Sequence, residues 1–182
     1  MRNISKFLAF ITAIVMVLAL ATPVATVEYR ATTPTDDVLR ITNELRAAQS
    51  RSAVNGNHAA LHAAAQVRAR EAAASWSHTR PDGRAFETVL SDHHVRARAA
   101  TENLARTNGY AAINAIAAWM ASQDHRDNLM SHAHTHMGIG VYFCNTNNQY
   151  FWAQLFITGP TWLDNIWFAF ASIGRLLFGW LM

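Results

Sequence analysis

Three residues carry the chemistry that this sequence offers. His78 follows Ser77 just past a helical run, His125 follows Asp124 just past another, and Glu102 stands between small residues and Asn103. Two imidazoles and a carboxylate at breaks between elements are the ingredients of a metal site with a carboxylate partner, or of an acid/base pair. Composition does not decide between the two or bring the residues together. The chain holds nine His, so others compete. His58 and His62 lie one helical turn apart with no Glu-bearing metalloprotease pattern between them, and read as a solvated helix face. His93 and His94 are neighbours in a polar loop and take no role. His132, His134 and His136 alternate at period two, a spacing that on a strand would aim all three at one zinc or copper ion. The strand pattern starts only at Met137, which leaves His132 and His134 in an approach loop and makes His136 the best oriented. No nucleophile motif is present: Cys144 sits inside an alternating run, and Ser77 and Ser122 lack the strained turn of a nucleophilic serine.

The elements that must position these residues follow from hydrophobic period. Val38, Ile41 and Leu45 recur at helical spacing behind a cap at Thr35 or Asp36, with Asn43, Glu44 and Arg46 on the other faces. After Asn55-Gly56-Asn57 an Ala-rich helix runs to about Ser75, and its small residues permit close packing. Pro81 and Asp82-Gly83 break that helix, which puts His78 at a helix-to-loop edge. A short amphipathic piece covers Arg84 to Leu90, and Glu102-Asn103 leads into a helix start. Beyond Asn108-Gly109, Ile113, Ile116, Trp119 and Met120 form a helical stripe reaching Ser122. The period then switches to two: Ile139, Val141 and Phe143, then Tyr150 to Ile157, make a hairpin across Asn145–Asn148. Helices first and strands afterwards predict an α+β fold, helices layered on an antiparallel sheet, not alternating βαβ units.

Of 182 residues 51% are apolar and 15% charged, which gives one domain with appended segments and excludes disorder. The formal charge is +3, fourteen of the fifteen basic residues are Arg, and none of them cluster, so no nucleic-acid partner is indicated. One cysteine, Cys144, excludes an internal disulfide and a Cys-based zinc finger. Arg2 and Lys6 ahead of the apolar run Phe7 to Ala21, closing on Ala19-Leu20-Ala21, read as an export signal over residues 1–21. Residues 22–35 read as a tether and 36–160 as the domain. Residues 161–182 form an apolar stretch in which Asp164, Asn165, Ser172 and Arg175 share about one quadrant of a helical wheel. Trp167, Phe170, Leu177 and Trp180 fill the wide remaining face, which suits a helix lying in a membrane surface or against lipid better than a span with Asp164 and Arg175 at its centre.

The order of the pieces is specific: Asn43-Glu44-Leu45-Arg46, then Ser77-His78-Thr79-Arg80-Pro81-Asp82-Gly83, Glu102-Asn103, and Trp119-Met120-Ala121-Ser122-Gln123-Asp124-His125-Arg126. It resembles the CAP superfamily of cysteine-rich secretory proteins, antigen 5 and pathogenesis-related proteins, in its secreted bacterial branch, which lacks the eukaryotic disulfides. The resemblance covers residues 38 to 157, with Gly138-Ile139-Gly140-Val141 and Gln154-Leu155-Phe156 in the closing strands. It implies an α-β-α sandwich whose central cleft gathers two His and acidic residues and, in several members, a divalent ion such as zinc. His78, Glu102 and His125 inherit those positions. The family's second acid falls near Ser122, where this chain has none, with Glu87 or Asp124 as substitutes, and Thr101 stands where the family has Gly.

Two functions of different class follow. In a binding module, His78 and His125 hold Zn2+ with Glu102 as third ligand or as their acceptor, and the cleft recognises a ligand or an envelope component; eukaryotic relatives include sterol and lipid binders. In a hydrolase of the cell envelope, the same cleft activates water with Glu102 as general base. Both expect an exported protein, extracellular or in the envelope.

Overall fold

A computed structural model describes residues 33–159. The expected export signal, most of the tether and the apolar stretch 161–182 lie outside the described residues. Among the described residues no helix is long and apolar enough to cross a membrane.

The first helix, α1, spans Pro34–Ala48. It starts earlier than the periodicity places it, because Thr33 is the cap. The Thr33 hydroxyl accepts the Asp36 N–H at 3.2 Å, the Asp36 carboxylate takes the Thr33 N–H at 3.1 Å, and Pro34 sits where a missing N–H does no harm. Its buried stripe is Val38, Thr42 and Arg46, with Ile41 and Leu45 only partly covered. Arg46 is therefore no outward residue. Fully buried, it ties the α1 end to the chain before the sheet, donating to Ser52 O (2.8 Å), Leu129 O (2.7 Å) and Ser131 O (3.0 Å).

α2 spans Ala59–Ala74, the short α3 Thr88–Asp92, α4 Ala112–Met120 and α5 Gln123–Met130. The strands β1 Ala99–Thr107, β2 His136–Cys144 and β3 Gln149–Thr158 form one antiparallel sheet in the order β1-β3-β2. The hairpin of β2 and β3 is the one that alternation predicts. β1 is a correction: Glu102 and Asn103 stand mid-strand, not at a helix start, with Glu102 opposite Leu155 and Asn103 opposite Gln154. Ala, Leu, Glu and Arg favour helix, but nine consecutive pairings to β3 override that weak preference.

Successive residues of each strand face opposite layers. On one side Trp152 and Phe156 of β3, Ala105 of β1, and Met137 and Ile139 of β2 pack with α1, α4 and α5 through Val38, Ile116, Trp119 and Leu129. On the other, Leu155 and Ile157 meet α2 and α3 through Leu61, Ala65, Val89 and Leu90, while Phe151 and Leu104 meet Ala69 and Ala72. The result is the α-β-α sandwich. α2 lies directly on β2. A Cβ on Gly138 would come within 2.5 Å of Leu61 O, and one on Gly140 within 2.4 Å of Ala65 O, so Gly and Ala together permit the approach. The outer edge of β2 is closed by α2 side chains: Gln66 donates to Val141 O (2.8 Å) and accepts Val141 N–H (3.2 Å). His62 does the same further along. It stands 2.8 Å from Gly56 O through Nε2 and accepts Ile139 N–H at Nδ1 (3.3 Å), so it is an edge cap and not part of a solvated face.

Candidate functional site

His78, Glu102 and His125 reach one region from three elements. Past Ser75 the chain bends through Ser77-His78, and the Thr79–Ala85 bridge closes a turn in which Gly83 takes φ +84°. Arg80 anchors that turn. Only 7% exposed, it binds both Glu71 oxygens, the Thr88 hydroxyl (3.0 Å) and Asp92 (2.6 Å). Glu102 comes from β1. His125 is the third residue of α5, a correction to its expected place beyond a helix end, since a new helix begins at Gln123, directly after Ser122.

Glu102 is buried and both of its oxygens are taken. Arg68 of α2 donates Nε–H to Oε2 at 2.6 Å and Nη2–H to Oε1 at 3.1 Å, and His78 Nδ1 lies 2.8 Å from Oε1. Because a carboxylate only accepts, Nδ1 carries the hydrogen and Nε2 is the His78 nitrogen left to face the cleft. Arg68 also grips Glu71 at 2.6 Å and Ser77 O at 2.9 Å. A line of charge pairs thus runs from His78 through Glu102, Arg68, Glu71 and Arg80 to Asp92 and Arg84. The hydrogen bond to Glu102 raises the His78 pKa, against a smaller opposing effect of burial. Burial lowers that of His125, helped by the charge of His78 and opposed by Asp124. Arg80 and Arg68 together hold Glu71 below the usual carboxylate range despite its burial.

Asn103 and Gln154, opposite each other in the sheet, set the depth of α5. Asn103 Nδ2 donates to His125 O (3.2 Å) and Gln154 Oε1 (3.1 Å), its Oδ1 accepts from Asn128 (2.9 Å), and Gln154 continues to Thr42 of α1 (3.2 Å). His78 and His125 line one cavity of about 210 Å3 with Trp76, Ser77 and Leu104. His125 Nδ1 is buried without a hydrogen-bond partner among the described residues.

These donors fit a divalent ion only in part. Two imidazoles border the cavity and one holds an unpartnered nitrogen, but Glu102 is neutralised by Arg68. Among the described residues no group of three His, Cys, Asp or Glu side chains is placed to hold a metal ion. Neither proposed substitute acid joins them: Glu87 lines a different cavity with Leu90 and Arg98, and Asp124 is exposed. Residue types alone did not single out Arg68, Glu71 or Gln154. Arg68 and Arg70 look alike in an Ala-rich helix, and only position on the helix separates the buried one from the exposed one. His134, expected in an approach loop, is there but buried. It stacks on Phe156 with centroids 5.0 Å apart, meets the Thr101 hydroxyl at 3.1 Å, and is pushed down to about 4 by burial and the charge of Arg46.

Three solved structures share this arrangement of helices and sheet. An extracellular protein containing an SCP domain from Bacillus anthracis superposes with TM-score 0.61 at 23% identity, covering 68% of this chain and 40% of its own. A cysteine-rich secretory protein from Staphylococcus aureus gives 0.56 at 21%, covering 69% and 38%. An outer surface protein from Borrelia burgdorferi gives 0.61 at 17%, covering 70% and 93%. The chain thus matches about two fifths of the length of the first two. No curated protein sequence matches it. The family model described as the cysteine-rich secretory protein family, CAP, matches residues 39–156, the stretch that holds both cleft imidazoles, Glu102 and all of the sheet but the last two residues of β3, and the chain belongs to that family.

Proposed function

We propose that this protein is an exported binding module whose His78–His125 cleft takes a ligand or an envelope component. The observation that carries this reading is the shared cavity of about 210 Å3, with one imidazole anchored on a buried carboxylate and the other holding an unpartnered buried nitrogen. Trp76, 49% exposed, adds an apolar wall at the mouth. A divalent ion such as Zn2+ would be held by the two imidazoles, and would leave coordination positions open for a ligand. Export is supported by the N-terminal pattern and by similarity to an extracellular protein and an outer surface protein. The apolar residues 162–182 would bring the domain to a membrane surface.

Hydrolysis is the second reading, and the opposed displacement of the two imidazole pKa values favours it: His78 as acid and His125 as base across one cavity. Glu102 is not the base in that reading, since both of its oxygens are already bonded; it positions His78.

Calorimetric titration of zinc into residues 22–182 at pH 7.5 tests the cleft. We expect uptake that falls at least about tenfold in His78→Ala/His125→Ala, and that weakens toward pH 6 because the ion must displace a proton from His78. Equal uptake by the parent and the double variant would overturn the metal assignment. Liposome flotation of residues 22–182 against 22–160 tests the membrane contact, and equal partitioning removes it.

A further inference from the structure

Arg46 is fully buried, and its Nε and Nη1 hydrogens go to the carbonyls of Ser52, Leu129 and Ser131. Those carbonyls are dipoles and leave the unit charge of the guanidinium in place. Its two Nη2 hydrogens meet no acceptor among the described residues, although Nη2 is buried. Arg51 repeats the pattern beside it. The Arg51 backbone N–H donates to Arg46 O at 2.8 Å, its Nη1 stands 3.5 Å from His132 Nδ1, and its Nε is also buried with no hydrogen-bond partner. Both guanidiniums therefore lie between the same two stretches of chain, residues 51–52 after α1 and residues 129–132 at the end of α5. The Arg51 charge, after burial, lowers the proton affinity of Arg46. Among the described residues no carboxylate forms an ion pair with either arginine.

Burying a guanidinium is costly unless an opposite charge accompanies it, and a second guanidinium alongside adds repulsion. An anion answers both, taking hydrogen bonds from Nη2 and from Arg51 Nε while it cancels one charge. A metal ion is repelled by the same pair. Three hydrogens suffice for a monatomic ion, whereas a sulfate or phosphate has four oxygens to satisfy and a second charge to desolvate. A water molecule accepts those hydrogens but leaves the charges unbalanced. We propose that Arg46 Nη2 and Arg51 Nε hold a monovalent anion the size of a halide, which fastens the end of α1 to the connection between α5 and β2. The site shares no residue with the His78 cleft and does not depend on the reading of that cleft. His134, on the same connection, has its proton affinity lowered first by burial and then by the Arg46 charge; the anion offsets only the second of these.

The full chain in a neutral glycoside detergent at pH 7.5 is melted in rising chloride, with isethionate making up the ionic strength. We expect Tm to rise saturably by at least about 3 °C, and bromide to act in the same way. Arg51→Met removes the Nε–H and its charge from a partly exposed position, and should need at least about tenfold more chloride for the same rise. Arg40→Met removes an exposed guanidinium paired with Asp37 and Glu44. It should keep the parent's chloride dependence, which separates binding from screening. A Tm indifferent to chloride at constant ionic strength would overturn the site and leave water as the acceptor of these hydrogens. Equal chloride dependence in the parent and a folded Arg51→Met would overturn it as well. If Arg51→Met does not fold, the chloride NMR line decides: the parent should broaden it and excess bromide should reverse the broadening, and a line that bromide leaves unchanged overturns the site.

Discussion

Arg68 holds both oxygens of Glu102, at 2.6 and 3.1 Å, with both side chains fully buried. This pair spans the layers, helix α2 to strand β1, and it decides what Glu102 is able to do. A carboxylate fixed by a guanidinium is neither a free base nor a free ligand; its remaining capacity goes to orienting His78. Removing the guanidinium leaves the buried Glu102 charge with only the half-exposed His78 beside it, and Glu71 with only Arg80. Arg68→Met should therefore lower stability by about 3–5 kcal/mol, and adding Glu102→Gln should restore part of it. Urea denaturation of the two variants checks this. A single variant within about 1 kcal/mol of the parent would mean that the pair does not hold the layers.

His78 and His125 should titrate apart, His78 above the ordinary value of 6.5 and His125 below it. Glu102→Gln should bring His78 down, because the largest cause of its rise is the hydrogen bond to that carboxylate. For His78 the folded value lies above the unfolded one, so its share of stability is present below pH 6.5 and fades as pH rises through the folded value. That share is small, since the ring is 59% exposed. Proton NMR of the two Cε1–H signals across pH 5 to 9 decides it, and coincident midpoints would remove the basis for opposed roles.

What was legible depends on whether a residue's partner is near in sequence. The hairpin of β2 and β3 showed through alternation because both strands bury one repeating face. The helices α1, α2 and α4 showed through period, though in α4 Ile113 is 56% exposed while Ala112 and Ala115 line the core. Hydrophobicity weighs Ile above Ala, and close helix packing favours the smaller residue. β1 was hidden because its strand identity resides in β3, some fifty residues later. The three candidate residues were singled out by residue type and motif order, yet the Arg68 partner that occupies Glu102 was not. Nothing local distinguishes an arginine aimed under a sheet from one in solvent.

Gly140→Ala should be strongly destabilising. Its Cβ would stand 2.4 Å from the backbone of Ala65 and from the Gln66 nitrogen, atoms of a helix that cannot step aside without releasing the Gln66 bonds to Val141. We expect a loss of about 3 kcal/mol, the upper part of the range for overpacking. Gly83→Ala makes the contrast: its Cβ meets nothing within 4 Å, and the penalty comes only from φ +84°, about 1 kcal/mol. Paired thermal melts of the two variants measure the difference. A Gly140→Ala melt no lower than that of Gly83→Ala would show that α2 does not rest on β2.

His134 should make the fold sensitive to mild acid. It is 6% exposed, packed flat on Phe156, and its proton affinity is pushed down to about 4 first by burial and then by Arg46, which is itself fixed by three carbonyls. Between that value and the ordinary 6.5 the unfolded chain binds a proton that the folded chain refuses, so stability falls as pH falls. The loss approaches about 1.4 kcal/mol for each pH unit in that window. His125 and His136, also lowered by burial, add in the same direction, so the total slope is no test of His134 alone. His134→Phe keeps the flat contact with Phe156 and removes the titration; it leaves the Thr101 hydroxyl without its partner, which lowers stability equally at every pH. Urea denaturation at pH 7.5, 6 and 5 should therefore give parent and variant curves that converge as pH falls. Parallel curves would show that His134 accepts its proton inside the fold, and the acid sensitivity would then belong to the other two.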